Sequence, residues 1–222
     1  MLVLSLGLLV GAPVRAQEED PPSGRVVDRV VAVIGGKVLT QSELELEARI
    51  AMVRKGAVRA ASEALDEPVL RTSLDLVVGT WLANDEADRL SAVRVQESEV
   101  EAALVSFKEK MGGERPYARF LADQDADNSQ VRSVLARALR AERFLDSKVR
   151  LKAQVSETEV REEYDAHRED NGPDYAAARG RLREMLIRKK YQALIERELA
   201  AARRGAEVRW IAPWAKPTEG GR

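Results

Sequence analysis

The spacing of apolar positions along the chain changes period twice, and those changes outline the fold. Residues 26–34 read Val-Val-Asp-Arg-Val-Val-Ala-Val-Ile, a run rich in β-branched side chains and long enough for one strand. Gly35-Gly36 interrupts it, and Lys37-Val38-Leu39 resumes the β character. Two such runs around a glycine pair predict a tight hairpin, because the turn positions must tolerate positive φ. Beyond it the spacing becomes helical. It predicts helices over 41–55, from near Pro68 along Leu70, Leu74, Val77, Val78, Trp81 and Leu82, and over 97–111 up to Gly112-Gly113. A short helix over 116–122, one over 129–152, one from 156 to before Asn171-Gly172-Pro173, and a long one over 174–204 ending at Gly205 follow. Residues 206–211 alternate again and predict a strand. A lone strand is unstable and a two-stranded hairpin is marginal, so residues 208–211 are expected to pair with the hairpin. The expected fold class is mainly α, with a small sheet made by the N-terminal hairpin and the C-terminal strand.

Three helix starts share one local pattern. Leu39-Thr40-Gln41-Ser42-Glu43-Leu44, Val95-Gln96-Glu97-Ser98-Glu99-Val100 and Val155-Ser156-Glu157-Thr158-Glu159-Val160 each place a polar cap between apolar residues, with Glu three positions after the cap. That is a capping box with a hydrophobic staple. Gln96 is a poor capping residue, so the second start has the weakest cap. The similarity stops at these short stretches, which argues for repeated local chemistry and against an internal repeat.

The chain ends differ from this body. Residues 1–14 are almost wholly apolar, Val14-Arg15-Ala16 offers permissive residues before Gln17, and a polar, Pro-containing run reaches Gly24. This predicts a secretory signal over 1–16, cleaved after Ala16, and a disordered tether over 17–25. The apolar run is shorter than the roughly 20 residues that span a bilayer, so removal is favoured over stable membrane insertion. Residues 212–222 are expected to form a disordered tail. The expected location is therefore an exported one.

Charge excludes one class of partner. Charged residues make up 33% of the chain, yet the net charge is −1 and the signs are interleaved, whereas a phosphate-tracking surface needs a basic stripe. Nucleic acid is not an expected partner. The absence of cysteine removes thiol catalysis and Cys-based zinc sites. His167 is the only histidine, and it sits near a predicted helix end without a metal-ligand motif. Asp123-Gln124-Asp125-Ala126-Asp127-Asn128 has the opening of a calcium loop, but Asn128 stands where Gly is required and Val134 where the bidentate Glu belongs. It reads instead as a helix connection, with Asn128 or Ser129 as the next cap. There is no phosphate-binding loop and no nucleophile elbow, and pairs such as Glu162-Glu163 read as a solvated face. No cofactor and no catalytic residue is expected.

The aromatic residues supply the binding candidates. Trp81 lies on a helical apolar stripe and reads as core. Phe107, Met111, Tyr117 and Phe120 gather around a Gly-Gly break. Core packing is the plainer reading, and an adaptable apolar contact surface the functional one. Trp210 and Trp214 bracket Ile211 and Pro213, where one ring is expected to pack on the sheet and the other to remain exposed.

The order of elements resembles SurA-type periplasmic chaperones. Val27-Asp28-Arg29-Val30-Val31-Ala32-Val33-Ile34-Gly35-Gly36-Lys37-Val38-Leu39-Thr40-Gln41-Ser42-Glu43 is similar to their opening, in which a hairpin leads straight into a capped helix. The stretch from Val69-Leu70 through Trp81-Leu82 to Ala87 resembles the second helix of that domain, and Val95 to Val100 its third helix start. Tyr117-Ala118-Arg119-Phe120-Leu121 with Val131, Phe144 and Val149 resembles its short helix and long fourth helix. Val155 to Tyr164 is similar to the lead-in to the parvulin domain, and Leu182 to Ile211 to the returning helix and strand. The likeness spans residues 26–211 in all, 26–170 as the N-terminal part and 174–211 as the returning part. It departs where the family carries its prolyl isomerase. About fifteen residues separate Tyr164 from Arg179, too few for a domain of roughly a hundred. The resemblance implies an ATP-independent chaperone without enzymatic activity, whose partners are unfolded outer-membrane or exported polypeptides. The candidate client contacts are Phe107, Met111, Tyr117, Phe120, Trp210 and Trp214. A cell-envelope assembly factor with one dedicated partner and a prolyl isomerase remain the alternatives.

Overall fold

A computed structural model of the chain describes residues 28–91 and 93–216. The expected signal segment 1–16 and tether 17–25 lie outside the described residues. Val30–Ile34 (β1) and Lys37–Thr40 (β2) form the antiparallel hairpin, turning at Gly35 and Gly36 with φ of 54° and 82°, which favours glycine. On its other edge β1 pairs with Val208–Trp210 (β3), giving the sheet order β2-β1-β3. Ile34 faces Val208, Val33 faces Arg209 and Ala32 faces Trp210. The amides of Ile211 and Ala212 both donate to the Val31 carbonyl, at 2.9 and 3.1 Å, so the clasp runs past the end of the strand. The expected meeting of the two chain ends in one small sheet is thus present, in a fold that is otherwise helical.

The helices begin where local chemistry satisfies their first amides. Gln41–Arg54 (α1) starts at Thr40, whose amide donates to Glu43 (3.0 Å) and whose hydroxyl accepts from the Glu43 amide (3.3 Å). Val58–Ser62 (α2) is a single turn that the apolar spacing did not reveal, since five residues are too few to show a period. Glu67–Arg89 (α3) is capped by Asp66, whose carboxylate accepts from the Val69 amide at 3.0 Å, and carries Pro68 in its first turn. Glu97–Met111 (α4) starts at Gln96, whose amide donates to Glu99 at 2.8 Å, and stops at Gly112, which takes φ of 95°.

Glu114–Asp123 (α5) and Asn128–Val149 (α6) follow. The cap of α6 is Asp127, not Asn128 or Ser129: its carboxylate accepts from the Gln130 amide and its own amide donates to the Gln130 side chain, both at 2.8 Å. A carboxylate at that position completes a reciprocal pair with Gln130. Ser156 caps Glu157–Ala166 (α7) through the same exchange with Glu159. The helix expected from 156 to 170 is broken at His167, after which Arg168–Asn171 (α8) makes one turn. Tyr175–Gly205 (α9) is the long return helix. The expected disordered tail needs correction at its start. Pro213–Ala215 forms a 3-10 turn, with Ala215 buried and Trp214 packed against the sheet cluster. Apolar contact holds these residues where composition alone suggested none. Residues 217–222 lie outside the described residues.

Among the described residues, four apolar clusters organise the interior. The inner face of the sheet packs on α3 through Val31, Ile34, Leu39, Leu74, Val78 and Trp81. A second cluster joins α1, α4, α5 and α6, and a third joins α3, α6 and α9. The fourth joins α7 to the first half of α9 through Val160, Tyr164, Ala178 and Leu182. Thus α9 leaves the α7 cluster, crosses α3 and α6, and delivers the chain to β3. Its approach to α3 is close at Gly79, where a Cβ would lie 3.1 Å from Leu199 Cδ2.

Candidate functional site

The sequence-derived candidates divide between interior and surface. Phe107, Tyr117 and Phe120 are buried to 6% exposure or less. Phe107 meets Tyr117 at 6.1 Å between ring centroids and Phe120 at 5.7 Å, both edge to face, an attractive arrangement for aromatic quadrupoles. The Tyr117 hydroxyl donates to Asn128 Oδ1 at 2.7 Å, and burial pushes its pKa up. These three rings are therefore core of the α1-α4-α5-α6 cluster, and the reading of them as an exposed contact surface is corrected. The rings fall inside because α5 folds back against α4 across Gly112-Gly113. Met111 is half-buried at the edge of that cluster. Trp210 and Trp214 are both half-buried against the sheet cluster, so the expected split into one packed and one exposed ring is absent.

α1 lines several concavities, among them two that adjoin its buried charges. The larger, about 1270 Å³, opens between α2 and the α4–α5 turn, with Val58, Ala61, Met111, Pro116 and Phe120 among its lining residues. Arg49 also lines it. This residue is only 8% exposed, and its Nη1 donates to the carbonyls of Ala61 (2.6 Å) and Glu63 (2.7 Å). Arg49 thereby holds α2 and the following loop against α1, although α2 has no side-chain cap of its own. Its Nε is buried without a hydrogen-bond partner among the described residues.

The smaller cleft, about 260 Å³, lies where α1, α3, α6 and α9 meet. Ile50, Val77, Val134, Leu145, Ile195 and Leu199 make it mainly apolar, and the Arg54–Glu142 ion pair (2.9 Å) links α1 to α6 beside it. Glu47 also lines this cleft at 6% exposure. Trp81 Nε1 donates to its Oε1 at 2.8 Å, Arg137 approaches the same oxygen at 2.8 Å, and the Arg137 guanidinium lies 4.7 Å from the centre of the Trp81 ring. Burial pushes the Glu47 carboxyl up to about 7, against the pull of Arg137 and of the Trp81 hydrogen bond and with some help from Glu43.

Both buried charges escaped the sequence reading. A signal was nevertheless present: α1 is apolar at Leu44, Leu46, Ala48, Ile50 and Val53, too many directions for a helix with one dry face. Such a helix is enclosed on several sides, and charged residues among those positions go inside with it.

The remaining candidate chemistry lies apart from these concavities. His167 is exposed at the α7–α8 junction, beside Glu163 at 3.3 Å. Among the described residues, no group of three or more His, Cys, Asp or Glu side chains is placed to hold a metal ion. Among the same residues, no helix is long and apolar enough to cross a membrane. No protein-family model and no curated protein matches the chain.

Proposed function

We propose that the chain is an ATP-independent chaperone of the cell envelope that shields unfolded outer-membrane or exported polypeptides. The observation that carries this reading is the clasp of β3 on the free edge of β1, with a helical body between them. That is the arrangement implied by the resemblance to SurA-type chaperones, in which the N-terminal hairpin and the returning C-terminal segment belong to one domain.

The surface supports a binding role. An open groove of about 1270 Å³ exceeds what a small ligand fills, and its lining mixes apolar with charged side chains. Weak contact of an extended client segment with such a groove delays aggregation and still permits release. The connection where the family carries its isomerase holds only α8 and the start of α9, which favours binding without isomerisation. A periplasmic location belongs to the same proposal: export rests on the apolar, cleavable character of residues 1–16, and the periplasm on the resemblance.

The test is light scattering with several unrelated unfolded substrates, an outer-membrane β-barrel among them, in the absence of nucleotide. Suppressed aggregation of most substrates, with no proline isomerisation above background, is the expected result. Protection of none overturns the proposal, and protection of a single substrate replaces it with a dedicated assembly factor.

A further inference from the structure

We propose that the groove between α2 and the α4–α5 turn takes an extended peptide segment in which acidic side chains alternate with apolar ones. Arg49 and the α5 arginines meet the acids, and Val58 and Met111 meet the apolar side chains. This rests on the binding role proposed above and specifies its ligand.

The first observation is the state of Arg49. A guanidinium removed from water is costly unless an anion or a full set of acceptors meets it. Arg49 forms no ion pair among the described residues. Nη1 is used on two backbone carbonyls, at 2.6 and 2.7 Å, and Nε has no partner among those residues. Two carbonyl dipoles orient the group without neutralising it.

The second observation is the arrangement of the surrounding charge. Arg115 and Arg119 stand one helical turn apart on α5, exposed, lining the same groove and without an ion pair among the described residues. Two nearby acids are already engaged, Glu63 with Arg59 at 3.3 Å and Glu114 with Lys108 at 2.9 Å. Asp123, one turn beyond Arg119, is the groove's remaining acid. The groove therefore holds three arginines without a carboxylate partner against one such acid, beside the half-buried Val58 and Met111. Planar guanidinium groups match carboxylates bidentately. Cations spread along a groove suit several spaced acidic side chains better than one terminal carboxylate. The apolar side chains between these cations disfavour a nucleic-acid backbone or a lipid headgroup layer.

The experiment measures fluorescence anisotropy with the full chain and three labelled, unstructured peptides, in which Leu and Tyr alternate with Glu, Gln or Lys. The expected order is Glu tightest, Gln weaker by on the order of tenfold, and Lys weakest, with the Glu–Gln gap closing as salt rises. Arg115→Gln with Arg119→Gln, both exposed, should leave the circular dichroism unchanged and weaken the Glu peptide by about tenfold while sparing the Gln peptide. Arg49→Met should do the same; if it unfolds the chain, the α5 pair alone decides. Equal affinity for the Glu and Gln peptides, an unaffected α5 double variant, or equal binding of anionic vesicles overturns the proposal. Continued protection of acid-poor substrates in the scattering assay, with no Glu preference here, overturns this site and leaves the chaperone reading standing. Loss of both overturns the two together.

Discussion

Ala32 and Trp210, near opposite ends of the chain, sit directly across from each other in neighbouring antiparallel strands. Ala32 is fully buried, and Trp210 covers the sheet cluster from the third strand. A two-stranded hairpin is marginal alone, so the last strand completes what the first two begin.

Trp210→Ala should therefore destabilise the whole domain. Loss of a half-buried indole from this edge is expected to cost about 2–3 kcal/mol in urea denaturation. Amide exchange should accelerate in β1 and β2 as well as in β3.

Glu47 predicts a pH dependence of stability. Its carboxyl is raised to about 7 by burial, so the folded state favours the protonated form. The stability this contributes is fully present below the ordinary carboxyl range, near 4.5, and is lost as pH rises through about 7. Wild-type stability should fall between pH 5 and pH 8 by on the order of 3 kcal/mol at most, whereas Glu47→Gln should be nearly flat across that interval. Denaturation midpoints across that pH range check it; a flat wild-type profile removes this account of Glu47.

Glu157 predicts the opposite sign at lower pH. Arg179 donates to it twice at 2.7 Å, and Tyr175 (2.6 Å) and Arg183 (2.5 Å) add further bonds. Those bonds, from Arg179 first, hold its carboxyl down to about 2. The stabilisation they provide is present above the ordinary range near 4.5 and lost as pH falls through about 2. Acidification should loosen α7 from α9, seen as faster amide exchange in α7, and Glu157→Gln should show that loosening already at neutral pH.

Gly79 sets how closely α9 lies on α3. An alanine there gains helix propensity of about 1 kcal/mol but meets the flexible tip of Leu199 at 3.1 Å, so Gly79→Ala should be close to neutral. Gly79→Val has no comparable relief and should cost about 1–3 kcal/mol, read as a lowered Tm.

The aromatic cluster separates core from surface. Phe107→Ala should cost about 3–5 kcal/mol, since the ring is 1% exposed and meets two others edge to face. Met111→Ala, half-buried at the groove, should cost less than the about 2–5 kcal/mol of a fully buried Met→Ala and act on peptide binding instead. A mild Phe107 variant would contradict the packing described above.

Local chemistry was legible where a few neighbouring residues decide the outcome. Thr40 with Glu43 and Ser156 with Glu159 announced two helix starts, and Gly35-Gly36 announced the hairpin turn. The need to cover a marginal hairpin even indicated that β3 returns to β1. Shorter signals failed. Asp127 took the capping role because its carboxylate pairs with Gln130, an exchange that competed with two equally plausible neighbours. The single turn of α2 was too short for any periodicity to register.

The amino-acid sequence alone determined the mainly helical character, the hairpin, most helix boundaries and the strand that closes the sheet. All of these follow from capping, backbone preference and periodic burial within a few residues. Tertiary structure alone decided that Phe107, Tyr117 and Phe120 face inward and that Glu47 and Arg49 are enclosed beside two concavities. Burial depends on which distant surfaces meet, and the desolvation that raises Glu47 or encloses the Arg49 guanidinium exists only once α2, α3, α4 and α6 have closed around α1.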